Sequence, residues 1–129
     1  IDPRSGELEC LNAGHPPPLV VDGEGGVRRL QSETNVALGM LEASFVSQQG
    51  RLEADETLLL YTDGLFEVND QDGRPLGMTR FADVVARAVV HQRRRPIAEL
   101  QRALARELRA LRGAQLFADD NTFLFARRA

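Results

Sequence analysis

The chain has 129 residues, a formal net charge of −3 and a hydrophobic fraction of 43%, a composition that excludes a disordered or membrane-spanning chain and fits one folded domain. Its single cysteine, Cys10, excludes an internal disulfide and a cysteine-based zinc site. All 16 basic residues are arginines, yet the acidic balance argues against a nucleic-acid-binding surface.

The first two-thirds of the sequence predict short strands separated by tight turns. Strands are expected at residues 7–13, 19–21, 27–30, 45–52 and 58–61. The glycine-rich run from Asp22 to Gly26 supplies the positive-φ positions that a hairpin between the second and third strands needs. The run Leu58-Leu59-Leu60-Tyr61 is wholly apolar, which predicts a strand buried on both faces.

Two amphipathic helices and a last strand are predicted next. The first helix runs from Thr79, its expected N-cap, to about Val90. The second runs from Pro96 to Arg112, with Gly113 as its C-terminal cap. Its apolar stripe (Ile97, Leu100, Leu104, Leu108 and Leu111) is expected to pack on the sheet, with a dimer zipper as the alternative. With a final strand at residues 122–126, this order predicts an α+β layered fold.

Acidic residues stand at the ends of two predicted strands. Asp63 follows the apolar strand at its C-terminal tip, and Asp119 and Asp120 precede the final strand. If the two tips lie side by side, Asp63 and Asp119 come within reach of one another, and a hard divalent cation such as Mg²⁺ or Mn²⁺ would offset their repulsion. The alternative is that both segments are ordinary turns, because Asp, Asn and Gly are common turn residues.

The order and spacing of five motifs resemble those of one protein family. The motifs are Asn12-Ala13-Gly14-His15-Pro16-Pro17-Pro18-Leu19, Ala37-Leu38-Gly39-Met40, Leu58 to Val68 with Thr62-Asp63-Gly64 inside it, Leu76-Gly77-Met78, and Asp119-Asp120-Asn121-Thr122. This pattern is similar to that of the bacterial metal-dependent serine phosphatases of the stage II sporulation protein E type, relatives of protein phosphatase 2C. The resemblance spans nearly the whole chain, from Gly6 to Phe125.

The resemblance implies a fold, a cofactor and a reaction. The fold would be an antiparallel β-sandwich flanked by helices, with a binuclear Mn²⁺ or Mg²⁺ site at one end. Asp63 and Asp119 would be the metal ligands and hence the catalytic residues, and Asp120 would orient ligands and bound waters. A metal-activated water would hydrolyse phosphoserine or phosphothreonine on a protein partner, by family analogy an anti-sigma-factor antagonist.

Three further residues are weaker candidates for the site. Gly64 completes the aspartate-glycine tip, and Glu67 stands where the family has a glutamate. We interpret Glu67 as a structural acceptor, or as one that hydrogen-bonds to the metal's ligands and waters, rather than as a ligand. His15 could line the phosphate site or could simply stiffen a turn beside Gly14 and three prolines. The basic run from Arg93 to Arg95 could attract an acidic partner, although runs of this kind are usually just solvated.

One expected part of the family pattern has no counterpart in this sequence. The family carries an earlier motif whose aspartate bridges both metals, and nothing in these 129 residues matches it. We therefore expect residues 1–129 to be the C-terminal part of a single phosphatase domain. The alternative is a catalytically silent protein-interaction module. Because no segment resembles a signal peptide or a membrane span, we expect a cytoplasmic protein without membrane or nucleic-acid partners.

Overall fold

The computed structural model describes residues 1–30, 35–112 and 120–128. It contains six strands and two helices in these ranges. The strands are β1 (Glu7–Cys10), β2 (Leu19–Val21), β3 (Val27–Arg29), β4 (Gln48–Arg51), β5 (Thr57–Tyr61) and β6 (Phe123–Arg127), and the helices are α1 (Gly77–His91) and α2 (Ile97–Arg112). A 3₁₀ turn over Asp63–Leu65 follows β5.

The strands form two antiparallel sheets. The larger sheet has the order β3-β2-β5-β6, and the smaller pairs β1 with β4. In the larger sheet Leu19 lies opposite Leu59, and Tyr61 lies opposite Phe123. The predicted hairpin is confirmed: an Asp22 carboxylate oxygen accepts hydrogen bonds of 2.8 Å from the backbone N–H groups of Glu24 and Gly26. The α+β architecture with antiparallel sheets is therefore as predicted.

Two predicted strands are longer than the observed ones because of one side chain. The Asn35 amide donates to the Val46 carbonyl and accepts from the Val46 N–H, both at 3.0 Å, so this stretch is bonded to a side chain and β4 begins only at Gln48. The same amide donates to the Asn12 carbonyl at 2.9 Å, beyond the point where β1 ends. Side-chain hydrogen bonds thus replace strand pairing at both places.

Helices α1 and α2 cover one face of the larger sheet. The core between them is built from the side chains of Leu19, Val21, Leu59, Tyr61, Phe81, Val84, Val85, Ala88, Val89, Leu100, Leu104, Leu108 and Phe125, among others. This confirms that the stripe of α2 packs on the sheet. None of the helices in the described ranges combines the length and apolar character needed to cross a bilayer.

The starts of both helices differ from the predictions. Helix α1 begins at Gly77 rather than at Thr79, and its cap residue Leu76 makes no side-chain capping bond. The Gly77 N–H instead donates to the Phe66 carbonyl at 3.0 Å, so the first turn is anchored by a distant backbone group. Helix α2 begins at Ile97, directly after the predicted Pro96, and the predicted cap Gly113 lies outside the described residues.

The opposite face of the larger sheet is only partly covered. Val20 and Leu58 pack against Leu8 of β1 and against Leu30 and Leu52, which places a second small core between the two sheets. Further along β5, Leu60 is 38% exposed, and its cross-strand neighbour Leu124 is 53% exposed. The prediction that β5 is buried on both faces is therefore wrong at Leu60, because the short β1–β4 pair does not extend over that part of the sheet.

Candidate active site

The residues that the sequence selects at the tip of β5 form a tight 3₁₀ turn. Asp63 is its first residue, and its side chain is exposed, with Oδ1 accepting a 2.9 Å hydrogen bond from the Gly64 N–H. The Asp63 carbonyl accepts from the N–H groups of Phe66 and Glu67, both at 2.9 Å. Gly64, the middle residue of the turn, is buried. This arrangement holds the Asp63 carboxylate at the surface, on a turn whose backbone is fixed by hydrogen bonds.

Thr62 links this tip to the start of β6. Its N–H donates to the Thr122 carbonyl at 3.0 Å, which extends the β5–β6 pairing by one step. Its hydroxyl donates to the Asp120 carbonyl at 2.8 Å and accepts from the Thr122 N–H at 3.0 Å. The two acidic tips are therefore adjacent at Asp120. Asp119 lies outside the described residues, and its approach to Asp63 stays a prediction.

The Asn-Ala-Gly-His motif forms a turn closed by the buried Asn12. Its amide donates to the His15 carbonyl at 2.7 Å and accepts from the His15 N–H at 2.8 Å. Gly14 has φ +82°, and a Cβ there would lie 3.1 Å from the Ala37 side chain, so both conformation and space favour glycine. The amide of Asn12, rather than the His15 ring, makes the hydrogen bonds that close this turn.

Asn35 holds this turn against the second motif, and sequence reasoning missed it. It pairs with Ala13 in an isolated bridge, and its N–H and side-chain amide both donate to the Asn12 carbonyl. Asn35 is also bonded to Val46, so it ties the chain before Ala37 to the chain after it. A single polar residue two positions before Ala-Leu-Gly is too weak a signal to have identified it.

Tyr61 is the point where three of the motifs meet. Its hydroxyl donates to the Pro17 carbonyl at 2.8 Å, and the same oxygen lies 3.5 Å from the Met78 sulfur. Its ring centroid lies 5.0 Å from that of Phe81 and 6.0 Å from that of Phe66. Burial raises the pKa of the Tyr61 hydroxyl, so it stays protonated as a donor. The third, first and fourth motifs are therefore in direct contact.

A buried carboxylate organises the loop between the 3₁₀ turn and α1. One oxygen of Asp70 accepts from the N–H groups of Asp72 and Arg74 at 3.0 and 2.9 Å, and the other pairs with Arg80 at 2.8 Å. These donors, with the Arg74 N–H first, hold the pKa of Asp70 below its usual value. Asp70 was not among the predicted residues, and its role is to shape the loop.

The donor chemistry at the tips fits a hard divalent cation. Exposed carboxylates lie at both strand ends, with Asp63 and Glu67 on one side and Asp120 on the other. Oxygen ligands of this kind suit Mg²⁺ and Mn²⁺. Within residues 1–30, 35–112 and 120–128, however, no three acidic, histidine or cysteine side chains converge closely enough to hold a metal on their own. His15 instead lines an apolar groove of about 390 Å³ with Leu58 and Leu60.

Comparison with known proteins agrees with this architecture. The sequence profile of the family described as Stage II sporulation protein E (SpoIIE) matches residues 1–129. Protein IcfG of Synechocystis sp. is 31% identical over 86 residues, covering 66% of this chain and 13% of the relative. The phosphoserine phosphatase RsbP of Bacillus subtilis is 38% identical over 68 residues, covering 52% and 17%.

A solved structure shows the same fold. The RsbU and RsbW domains of Rv1364c from Mycobacterium tuberculosis superpose with a TM-score of 0.78 at 31% identity, covering 97% of this chain and 33% of that one. The fold and the paired strand tips thus define a protein phosphatase 2C-like domain. The chain belongs to the SpoIIE family. It spans less than a fifth of the length of the two curated relatives.

Proposed function

We infer that this chain contributes to a metal-dependent phosphatase that acts on phosphoserine or phosphothreonine in a protein. The observation that supports the proposal is the link between Thr62 and Asp120, which brings the Asp63 tip beside Asp120. Family membership supports the same reaction class. Asp63 and Asp119 would hold the metal.

The chemistry divides between the cation and the side chains of this chain. A divalent cation, when bound, makes a water more acidic and offsets the charge of the phosphate. Asp63 presents its carboxylate from a turn fixed by the Gly64 N–H. Asp120 and Glu67, both exposed, would orient ligands and waters by hydrogen bonding. His15, which lines the apolar groove, would lie near the substrate rather than at the metal.

The proposed substrate is a phosphorylated regulatory protein of the anti-sigma-factor antagonist class. One relative is named a phosphoserine phosphatase, and the solved structure combines RsbU and RsbW domains in one chain. A protein substrate also suits an exposed carboxylate, because Asp63 lies at the surface and not in a closed cavity. The complete activity would require residues beyond this chain, including the bridging aspartate that the family pattern carries.

The experiment measures phosphate release from a phosphoserine protein by the full-length natural protein that carries these residues. Release is expected with Mn²⁺ or Mg²⁺ and is expected to stop when EDTA is added. Asp63→Asn should lower it on the order of 100-fold or more, since loss of a ligand exceeds the 10–100-fold cost of losing an outer partner. Asp83→Asn, the same change at an exposed position of α1, is the matched control.

The outcomes separate the two functions considered. Equal activity of Asp63→Asn and Asp83→Asn would show that Asp63 is not a metal ligand. The result would instead identify a catalytically silent interaction module if the protein binds the phosphoprotein tightly but releases no phosphate with either Mn²⁺ or Mg²⁺.

A further inference from the structure

The hydroxyl of Thr62 is the one side-chain group seen to join the two acidic tips directly, within the part of the chain that the structure describes. It donates to the Asp120 carbonyl and accepts from the Thr122 N–H, so it uses both of its hydrogen-bonding capacities across the strand pair. We propose that Thr62 is a positioning residue that sets the separation of the acidic tips and thereby the affinity of the site for its divalent cation. The proposal rests on the proposed function.

These bonds lie where they can control the separation of the two acidic tips. Regular β5–β6 pairing ends at Tyr61 opposite Phe123, and the Thr62 N–H adds one more bond, to Thr122. Beyond that point the Asp120 carbonyl is held by the Thr62 hydroxyl. A bond that fixes Asp120 therefore limits how far this acidic tip can move from Asp63.

Threonine suits this task better than serine or valine would. Its β-branch restricts χ1, which keeps the hydroxyl aimed across the strands at little entropic cost. Serine keeps both hydrogen bonds but rotates more freely, whereas valine keeps the shape and removes both bonds. Thr62 also directly precedes Asp63, so the same backbone carries the tether and the proposed ligand. Metal affinity should accordingly follow the presence of the hydroxyl.

The test titrates the same full-length protein with Mn²⁺ alone and follows binding by electron paramagnetic resonance. Thr62→Val should weaken Mn²⁺ binding by roughly 10- to 100-fold, the range for a group that orients a ligand. Thr62→Ser should stay within a few-fold of wild type. Thr79→Val, the same change at an exposed position of α1, should have no effect. Thr62→Ala replaces the valine variant if that variant fails to fold.

Two further readouts distinguish positioning from a general loss of stability. Hydrogen exchange at the Thr122 amide should accelerate in Thr62→Val and not in Thr62→Ser, because that N–H donates to the Thr62 hydroxyl. Phosphatase turnover of Thr62→Val should recover towards the wild-type value at saturating Mn²⁺, since only the affinity is impaired.

The controls separate failure of this inference from failure of the proposed function. Wild-type Mn²⁺ affinity in Thr62→Val, with accelerated exchange at Thr122 and weak binding in Asp63→Asn, would overturn the positioning role and leave the phosphatase assignment intact. Mn²⁺ binding that is insensitive to Asp63→Asn would overturn the proposed function and this inference with it.

Discussion

Arg127, at the end of β6 remote from the acidic tips, closes the end of helix α1. Its Nη1 lies 3.1, 2.9 and 3.0 Å from the carbonyl oxygens of Gln92, Arg93 and Arg95, and its Nε donates to the Thr57 hydroxyl at 3.1 Å. These carbonyls belong to the residue that caps the helix and to the loop after it, where no intrahelical donor is available, although the Gln92 carbonyl also accepts from the Arg95 N–H at 3.0 Å. Replacing Arg127 with methionine keeps the aliphatic stem and removes every one of these bonds.

The expected loss of stability follows from the number of bonds that can exist at once. Nη1 carries two hydrogens, so at most two of the three carbonyls receive a full bond, each worth about 1.5–3 kcal/mol when the donor is charged. Water can reach this loop, whose residues 93–95 are exposed, and Arg127 Nη2 is buried without a partner among the described residues, so part of that energy is offset. We therefore expect Arg127→Met to lower the free energy of unfolding by about 2–4 kcal/mol, or roughly 10 °C in Tm for a chain of this size.

The assay is thermal and urea unfolding followed by circular dichroism. Arg94→Met is the matched control, because Arg94 lies in the same loop with its side chain exposed, and its Tm should stay within about 2 °C of wild type. A Tm for Arg127→Met that equals that of Arg94→Met would show that the three carbonyls are satisfied equally well by water, and the reasoning would fail.

Three further predictions concern the junction of the motifs, the response to pH and the extent of the catalytic unit. Tyr61→Phe should cost about 1 kcal/mol in urea unfolding, because it removes the hydrogen bond to Pro17 and the weaker contact with the Met78 sulfur, and an unchanged midpoint would contradict this. The pKa of Asp70 is lowered by the Arg74 N–H and then by Arg80, so its contribution to stability is complete above an ordinary aspartate pKa of about 3.9 and is lost as pH falls through the lowered value. Asp70→Asn should therefore flatten the dependence of the urea midpoint on pH below about 4, and parallel curves for the two proteins would rule out this cause. Finally, the 129-residue chain alone should release phosphate far more slowly than a longer natural sequence that contains it, and equal turnover numbers in Mn²⁺ would refute that expectation.

Elements that depend on neighbours in the sequence could be predicted closely. The hairpin after β2 follows from a run of turn residues within five positions, and its Asp22 carboxylate accepts hydrogen bonds from Glu24 and Gly26 of that run. The stripe of α2 follows from helical periodicity, and Leu100, Leu104 and Leu108 are buried as expected. The candidate Asp63 was selected by its motif and does stand at the tip of β5.

Other features were decided only by residues distant in the sequence. The start of α1 depends on a bond to Phe66, the lengths of β1 and β4 depend on the Asn35 amide, and the exposure of Leu60 depends on how far a second sheet extends. The sequence alone named Asp63 and Asp120 as acidic residues at strand ends. Their adjacency required β5 and β6 to pair across about 60 intervening residues, with Thr62 closing the pair. Local propensities carry no information about such a contact, because the contact contributes free energy only when the intervening helices have packed on the sheet.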